Sequence, residues 1–204
     1  MPKANSVFIN CPFDFGYQSL FDAMVFAVYD CGFKPRCALE LDDAGQVRVE
    51  KIYRLIFDCQ FGIHDISRTE LDATTKLPRF NMPFELGLFL GARRFGSKKQ
   101  SRKISLILDK EPFRFQKFIS DIAGQDIRSH YGKPERIVRV IRDWLQTASR
   151  KSLKPIASGE IIFERYKSFR AELPIACGKA KLDVKSLTFA DYRWLVESWL
   201  RVNA

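Results

Sequence analysis

The chain has five cysteines with no C-x-x-C spacing among them, only two histidines and no H-E-x-x-H. Odd in number and scattered, Cys11, Cys31, Cys37, Cys59 and Cys177 argue against both a disulfide framework and a zinc site, and read as buried thiols. His64 and His130 alone, without H-E-x-x-H, argue against a histidine-based metal centre too, so no metal is expected. No apolar run approaches the roughly 18 residues that span a bilayer. The opening Met-Pro-Lys-Ala-Asn-Ser leads straight into a strand-like run without a signal-peptide pattern. These absences set the expectation of a cytoplasmic protein with no membrane partner.

Negative charge is scarce in one half. Residues 1–96 hold 11 basic and 12 acidic side chains, whereas residues 97–204 hold 23 and 12, so the excess of +11 lies in the second half. Such a field attracts nucleic acid or polyphosphate, but dispersed cations on solvated helix faces give the same count, and no RNA- or DNA-binding motif is recognisable. What is present is an ordinary globular composition, 46% hydrophobic and 28% charged over 204 residues, enough for one domain and a small appendage.

Strand-like and helix-like runs alternate. Ser6 to Pro12, Lys34 to Leu39, Phe61 to Ile66, Lys103 to Asp109 and Asp126 to His130 read as short strands. Helices are expected over Tyr17 to Cys31, Val47 to Cys59 and Pro134 to Ala148, with a shorter one near Phe113 to Ile122. On the second helix Val49, Ile52, Tyr53, Ile56 and Phe57 form the expected inner face. The pattern predicts an α/β fold: a five-stranded parallel flavodoxin-like sheet with helices on both faces over residues 1–149, plus a small C-terminal helical extension over 150–204. In that extension, after a linker from Ser149 to Gly159, helices are expected over Glu160 to Ala171 and Phe189 to Val202. A loop containing Pro174 and Gly178 joins them. Thr188 is the expected N-cap of the last helix, whose apolar face must pack on something, its own chain first.

In open parallel sheets ligands sit outside the carboxyl ends of the strands. Those ends carry Asn10 to Asp14, Leu39 to Asp43, Asp65 to Arg68, and the long loop leading into Pro78 to Gly91. That last stretch places a single carboxylate, Glu85, in an apolar helix start, with Leu88, Phe89 and Ala92 on its row. Asn81 or Met82 is the expected N-cap, which puts Glu85 in the first turn, where the helix dipole stabilises a negative charge and keeps it ionised near neutrality. Gly87 and Gly91 would let a backbone or ligand approach. A carboxylate on such an apolar row is buried, helix-capping or chemical.

The run Val7-Phe8-Ile9-Asn10 followed by Phe13-Asp14, the strand end His64-Asp65-Ile66-Ser67, and the Phe84-Glu85-Leu86-Gly87 motif together resemble the TIR-like and nucleoside 2-deoxyribosyltransferase-like superfamily. The resemblance covers roughly residues 5–148. It implies cleavage of an N-glycosidic bond in NAD or a related nucleotide, with Glu85 catalytic. Asn10, Phe13, Asp14, Asp65, Ser67, Asn81 and Phe84 would line the nucleotide site. No cofactor is implied, the nucleotide being the substrate. Bacterial members often serve antiphage defence, so a sensor protein or a second copy of the chain is an expected partner. Arg79-Phe80-Asn81 stands where deoxyribosyltransferases carry acidic residues, which points away from transfer between free deoxynucleosides.

The chemistry is intelligible from the residues. Breaking a C–N bond to a pyridinium or purine leaves positive charge on the sugar carbon, which a neighbouring carboxylate stabilises or traps as an ester. Asp14 or Asp65 would hold ribose hydroxyls, and Phe13 or Phe84 would stack on the base. Each has a purely structural alternative: Asp14 as a turn former, Asp65 and Ser67 as strand-end caps, the two Phe as core. His64 reads as structural. A non-catalytic nucleotide-sensing or scaffold module is the competing function, and nucleic-acid association through the basic half ranks below it.

Overall fold

Short apolar runs separated by amphipathic segments fold here into a parallel sheet wrapped by helices. The structure is a computed structural model and describes residues 3–40, 43–71, 76–149 and 155–204. Strands β1 (Lys3–Asn10), β2 (Lys34–Arg36), β3 (Cys59–Asp65), β4 (Ile104–Asp109) and β5 (Ile127–Ser129) are all parallel, in the order 2-1-3-4-5. This is the flavodoxin-like arrangement. The order reverses between β1 and β3, the switch point at whose carboxyl side open parallel sheets place their ligand crevice.

Helices α1 (Gln18–Asp30) and α4 (Pro134–Ala148) cover one face. Helices α2 (Arg48–Asp58) and α3 (Asn81–Phe95) cover the other, where Phe8, Ile52, Leu55, Ile56 and Phe89 pack together. On α2, Tyr53 and Phe57 are exposed and Leu55 is buried instead, so its inner face is rotated from the expected one. At the sheet edge β2 stops at Arg36 rather than running to Leu39. Pro35 is tolerated there because an edge strand leaves one side unpaired, and Ala38–Glu40 winds into a 3-10 turn. The segment near Phe113 to Ile122 is likewise not one helix but two 3-10 turns, Arg114–Lys117 and Ser120–Ile122.

Beyond residues 150–154, which lie outside the described residues, α5 (Gly159–Ala180) and α6 (Phe189–Asn203) form a further layer on α1 and α4. The expected loop after Ala171 is absent, and α5 runs through Pro174 and Gly178. Leu173 and Cys177, one turn apart, are both buried, and their packing holds the helix across a proline that sits on the exposed side. Thr188 caps α6 in a reciprocal capping box with Asp191. Phe189, Tyr192, Leu195 and Val196 are buried, each contributing about 1.5 to 3 kcal/mol. The layer is also pinned by polar contacts to α1: Arg170 to Asp22 at 2.6 Å, Arg165 to Asp30 at 2.8 Å, and the Tyr192 hydroxyl donating to the Asp22 carbonyl at 3.2 Å. One apolar cluster runs unbroken from α1 and α4 into α5 and α6.

Candidate functional site

The carboxyl ends of β1 and β3 place Asn10, Cys11, Asp14, Asp65 and Ser67 around one crevice, and the chain returns to it at the start of α3. Asn10 anchors that return. Its buried amide donates to the Met82 carbonyl at 2.9 Å and lies 3.1 Å from His64 Nδ1. Burial pushes His64 down to about 3, so the ring is neutral and accepts that second amide hydrogen. One hydrogen of the Asn10 amide therefore fixes α3 to the sheet, and the other joins β1 to β3.

Helix α3 begins one residue earlier than expected. Phe80 occupies the N-cap position without a capping side chain, and Asn81 is the first helical residue, exposed. Glu85 thus lies one turn inside, beyond the free N–H groups of the first turn, so the expected capping role and dipole stabilisation do not apply. Its side chain is 7% exposed and makes no hydrogen bond or ion pair among the described residues. Burial raises its carboxyl to about 7, against the opposing pull of Arg48 at the start of α2. The expectation of full ionisation at neutrality fails because desolvation outweighs the helix dipole. Gly87 and Gly91 face open space, and the close approach occurs elsewhere, at Gly62, where an added Cβ would lie 2.7 Å from the Phe89 ring and from His64.

Asp65 is as deeply placed but fully engaged. It accepts from the Tyr17 hydroxyl at 2.5 Å and from the Ser67 backbone N–H at 2.8 Å, and His130 Nε2 stands 3.1 Å away. Gly132 N–H donates to His130 Nδ1 at 2.9 Å, which places a ring proton on Nε2, the nitrogen facing Asp65. Burial alone would raise the Asp65 carboxyl, but the contacts from His130, Ser67 and Tyr17 prevail and hold it below its usual value. Asp14 is tied across the crevice to Arg68 at 2.9 Å and lies 3.6 Å from Arg79. Cys11 sits among these acids: burial first, then the charges of Asp65 and Glu85 and, least, Asp14, raise its thiol well above the usual range, so it is inert.

The sites expected to stack on a base differ in access. Phe13 is half-buried, edge-on to Phe21 at 5.3 Å, while Phe84 is 55% exposed beside Glu85. Phe15, Phe80 and Phe113 add exposed rings on the loops at this pole. Phe113 and Tyr131 hold left-handed backbone at φ 58° and 55°, sparsely populated for bulky residues and often found near functional sites. Residues 41–42 and 72–75, parts of two loops expected at the crevice, lie outside the described residues. Sequence reasoning missed Tyr17, Arg48 and His130. Only His130 carried a signal, since it directly follows a strand's carboxyl end.

No family model, curated protein or solved structure matches the chain. Among the described residues there is no cluster of His, Cys, Asp and Glu that could hold a metal ion, and no helix is long and apolar enough to cross a membrane.

Proposed function

We propose that the chain is an N-glycosidase that cleaves the base–ribose bond of NAD or a related nucleotide, with Glu85 as the catalytic carboxylate. One observation carries the reading: Glu85 is buried at the switch-point crevice with no hydrogen-bond or ion-pair partner among the described residues. An unpartnered buried acid destabilises a fold, and this one caps nothing, so its presence here supports a chemical role. As a carboxylate beside the sugar carbon it stabilises the oxocarbenium that forms as the base departs, and a cationic pyridinium leaving group would itself favour the ionised form. Phe84 offers a face for the base. Arg68, half-exposed and anchored on Asp14, brings positive charge toward a phosphate at the rim.

The test is incubation of the purified protein with NAD, NADP and nucleosides, followed by chromatography for released base. Base release should rise with pH through about 7 as Glu85 ionises, and Glu85→Gln should lose it by about a thousandfold while remaining folded. A fully active Glu85→Gln variant sinks the assignment. A second reading, a nucleotide-sensing or scaffold module in the same superfamily, has its own support: two marked concavities of the described surface both lie away from Glu85. Saturable nucleotide binding without base release, unchanged in Glu85→Gln, would establish that reading instead.

A further inference from the structure

At the opposite pole, where β1, β3 and β4 begin, a cleft of about 980 Å³ opens between the ends of α1, α3 and α4. Arg93 and Arg102 line it with Gln60, Ser101 and Ser149, Phe33 and Phe61 give it an aromatic floor, and no carboxylate is among the lining residues. Helices α1 to α4 all end here, and carbonyl ends attract cations, so basic residues at this pole have an ordinary structural use. Lys103 and Gln100 perform it. Lys103 Nζ donates to the Ile56 carbonyl and, at 2.6 Å, to that of Cys59, and Gln100 donates to the Phe57 carbonyl at 3.1 Å. Arg93, in the last turn of α3, and Arg102, at the end of the 3-10 turn Gln100–Arg102, donate to no carbonyl: both are exposed and neither has a hydrogen-bond or ion-pair partner among the described residues.

The charge extends beyond the cleft. Between Glu85 and Asp109 the sequence holds, besides the buried Lys103, the exposed Arg93, Arg94, Lys98, Lys99 and Arg102 and no acidic residue. A ligand that meets all of this carries several phosphates in a row, more than one nucleotide supplies. A duplex presents a convex surface with its bases covered, whereas unpaired bases can enter a cleft and lie against Phe33. We propose that this pole binds single-stranded nucleic acid, with Arg93 and Arg102 as the phosphate contacts inside the cleft. The site is remote from Glu85 and independent of the glycosidase reading.

Fluorescence anisotropy with a labelled oligothymidylate of about 15 nucleotides tests it between about 50 and 200 mM salt. The wild-type chain should bind and weaken steeply as salt rises. Arg93→Ala with Arg102→Ala should weaken binding at least about tenfold and lower the slope of log affinity against log salt by about 1.4, two phosphates' worth. Arg93→Lys with Arg102→Lys should keep the slope. Both arginines are exposed and unpaired, so the melting temperature should hold in either variant. Absence of salt-sensitive binding by the wild type overturns the proposal. So does an equal loss in Lys167→Ala with Lys179→Ala on α5, displacement of the strand by ATP at equal phosphate concentration, or tighter binding of a duplex of the same length.

Discussion

Asp65 and Glu85 are both buried carboxylates at the same crevice, yet their protons are held in opposite directions. Asp65, at 0% exposure, lies below its usual value, and Glu85, at 7%, is raised to about 7. Burial pushes both carboxyls up, so burial alone does not set the two acids apart. Partners do: Asp65 receives Tyr17, the Ser67 N–H and His130, and Glu85 feels only the opposing charge of Arg48. The first arrangement ties β1's following turn, β3 and β5's end together, and the second leaves a reactive group. A site chosen on burial or conservation of charge alone would confuse the two.

Asp65→Asn should give the largest effect. The amide keeps the volume but presents hydrogens where an acceptor is needed, and His130 cannot turn its lone pair inward without losing the Gly132 N–H. A loss on the order of 3 kcal/mol is expected in chemical denaturation at neutral pH, in the range for leaving buried donors unsatisfied. A variant as stable as the parent would mean that the contacts around Asp65 contribute nothing net.

Glu85→Gln should move stability the other way. The folded carboxyl titrates near 7 and the unfolded one near 4.5, so the folded state holds a proton that the unfolded state has released between those values. Wild-type stability attributable to this group falls as pH rises from about 4.5 to about 7 and is flat beyond. The glutamine variant escapes the loss. Denaturation curves should show it more stable by on the order of 1 to 3 kcal/mol at pH 8 and equal to wild type at pH 4. A variant less stable at pH 8 would show that Glu85 has a stabilising partner and belongs with Asp65.

The alternation of strands and helices was legible because each element buries one periodic face, and α4 matches its reading from Pro134 to Ala148. The position of Glu85 at the switch-point crevice was legible for the same reason, since strand ends converge in any open parallel sheet. Its protonation state was not, because burial is a sum over α2, β1 and α3 that no local window contains. Tyr17 and His130 reach Asp65 from 48 and 65 residues away in sequence, and nothing around either predicts the meeting. The course of α5 through Pro174 likewise depends on what Leu173 and Cys177 meet on other helices, against a local signal to stop. Asn10 illustrates the remaining gap: its place at the crevice follows from β1, but the engagement of its amide with Met82 and His64 belongs to the folded chain.

Tyr17→Phe gives the smallest effect and the sharpest comparison, because it moves Asp65 one step toward the condition of Glu85 without changing its burial. Removing the hydroxyl takes away one charge-assisted hydrogen bond, about 1.5 kcal/mol, while Phe fills nearly the same space. The remaining contacts from Ser67 and His130 should keep Asp65 ionised at neutral pH. Its folded-state value should nevertheless rise, since only the ionised form accepts from the hydroxyl with full strength. Asp65 contributes stability that is present above its unfolded value of about 3.8 and lost as pH falls through the folded one, so the variant should unfold in acid at a higher pH than wild type. Carbon-detected titration of the Asp65 carboxyl, beside acid denaturation, reads both quantities. An unchanged titration with lowered stability would assign Tyr17 a packing role only, and the contrast between the two acids would then rest on His130 and the Ser67 N–H.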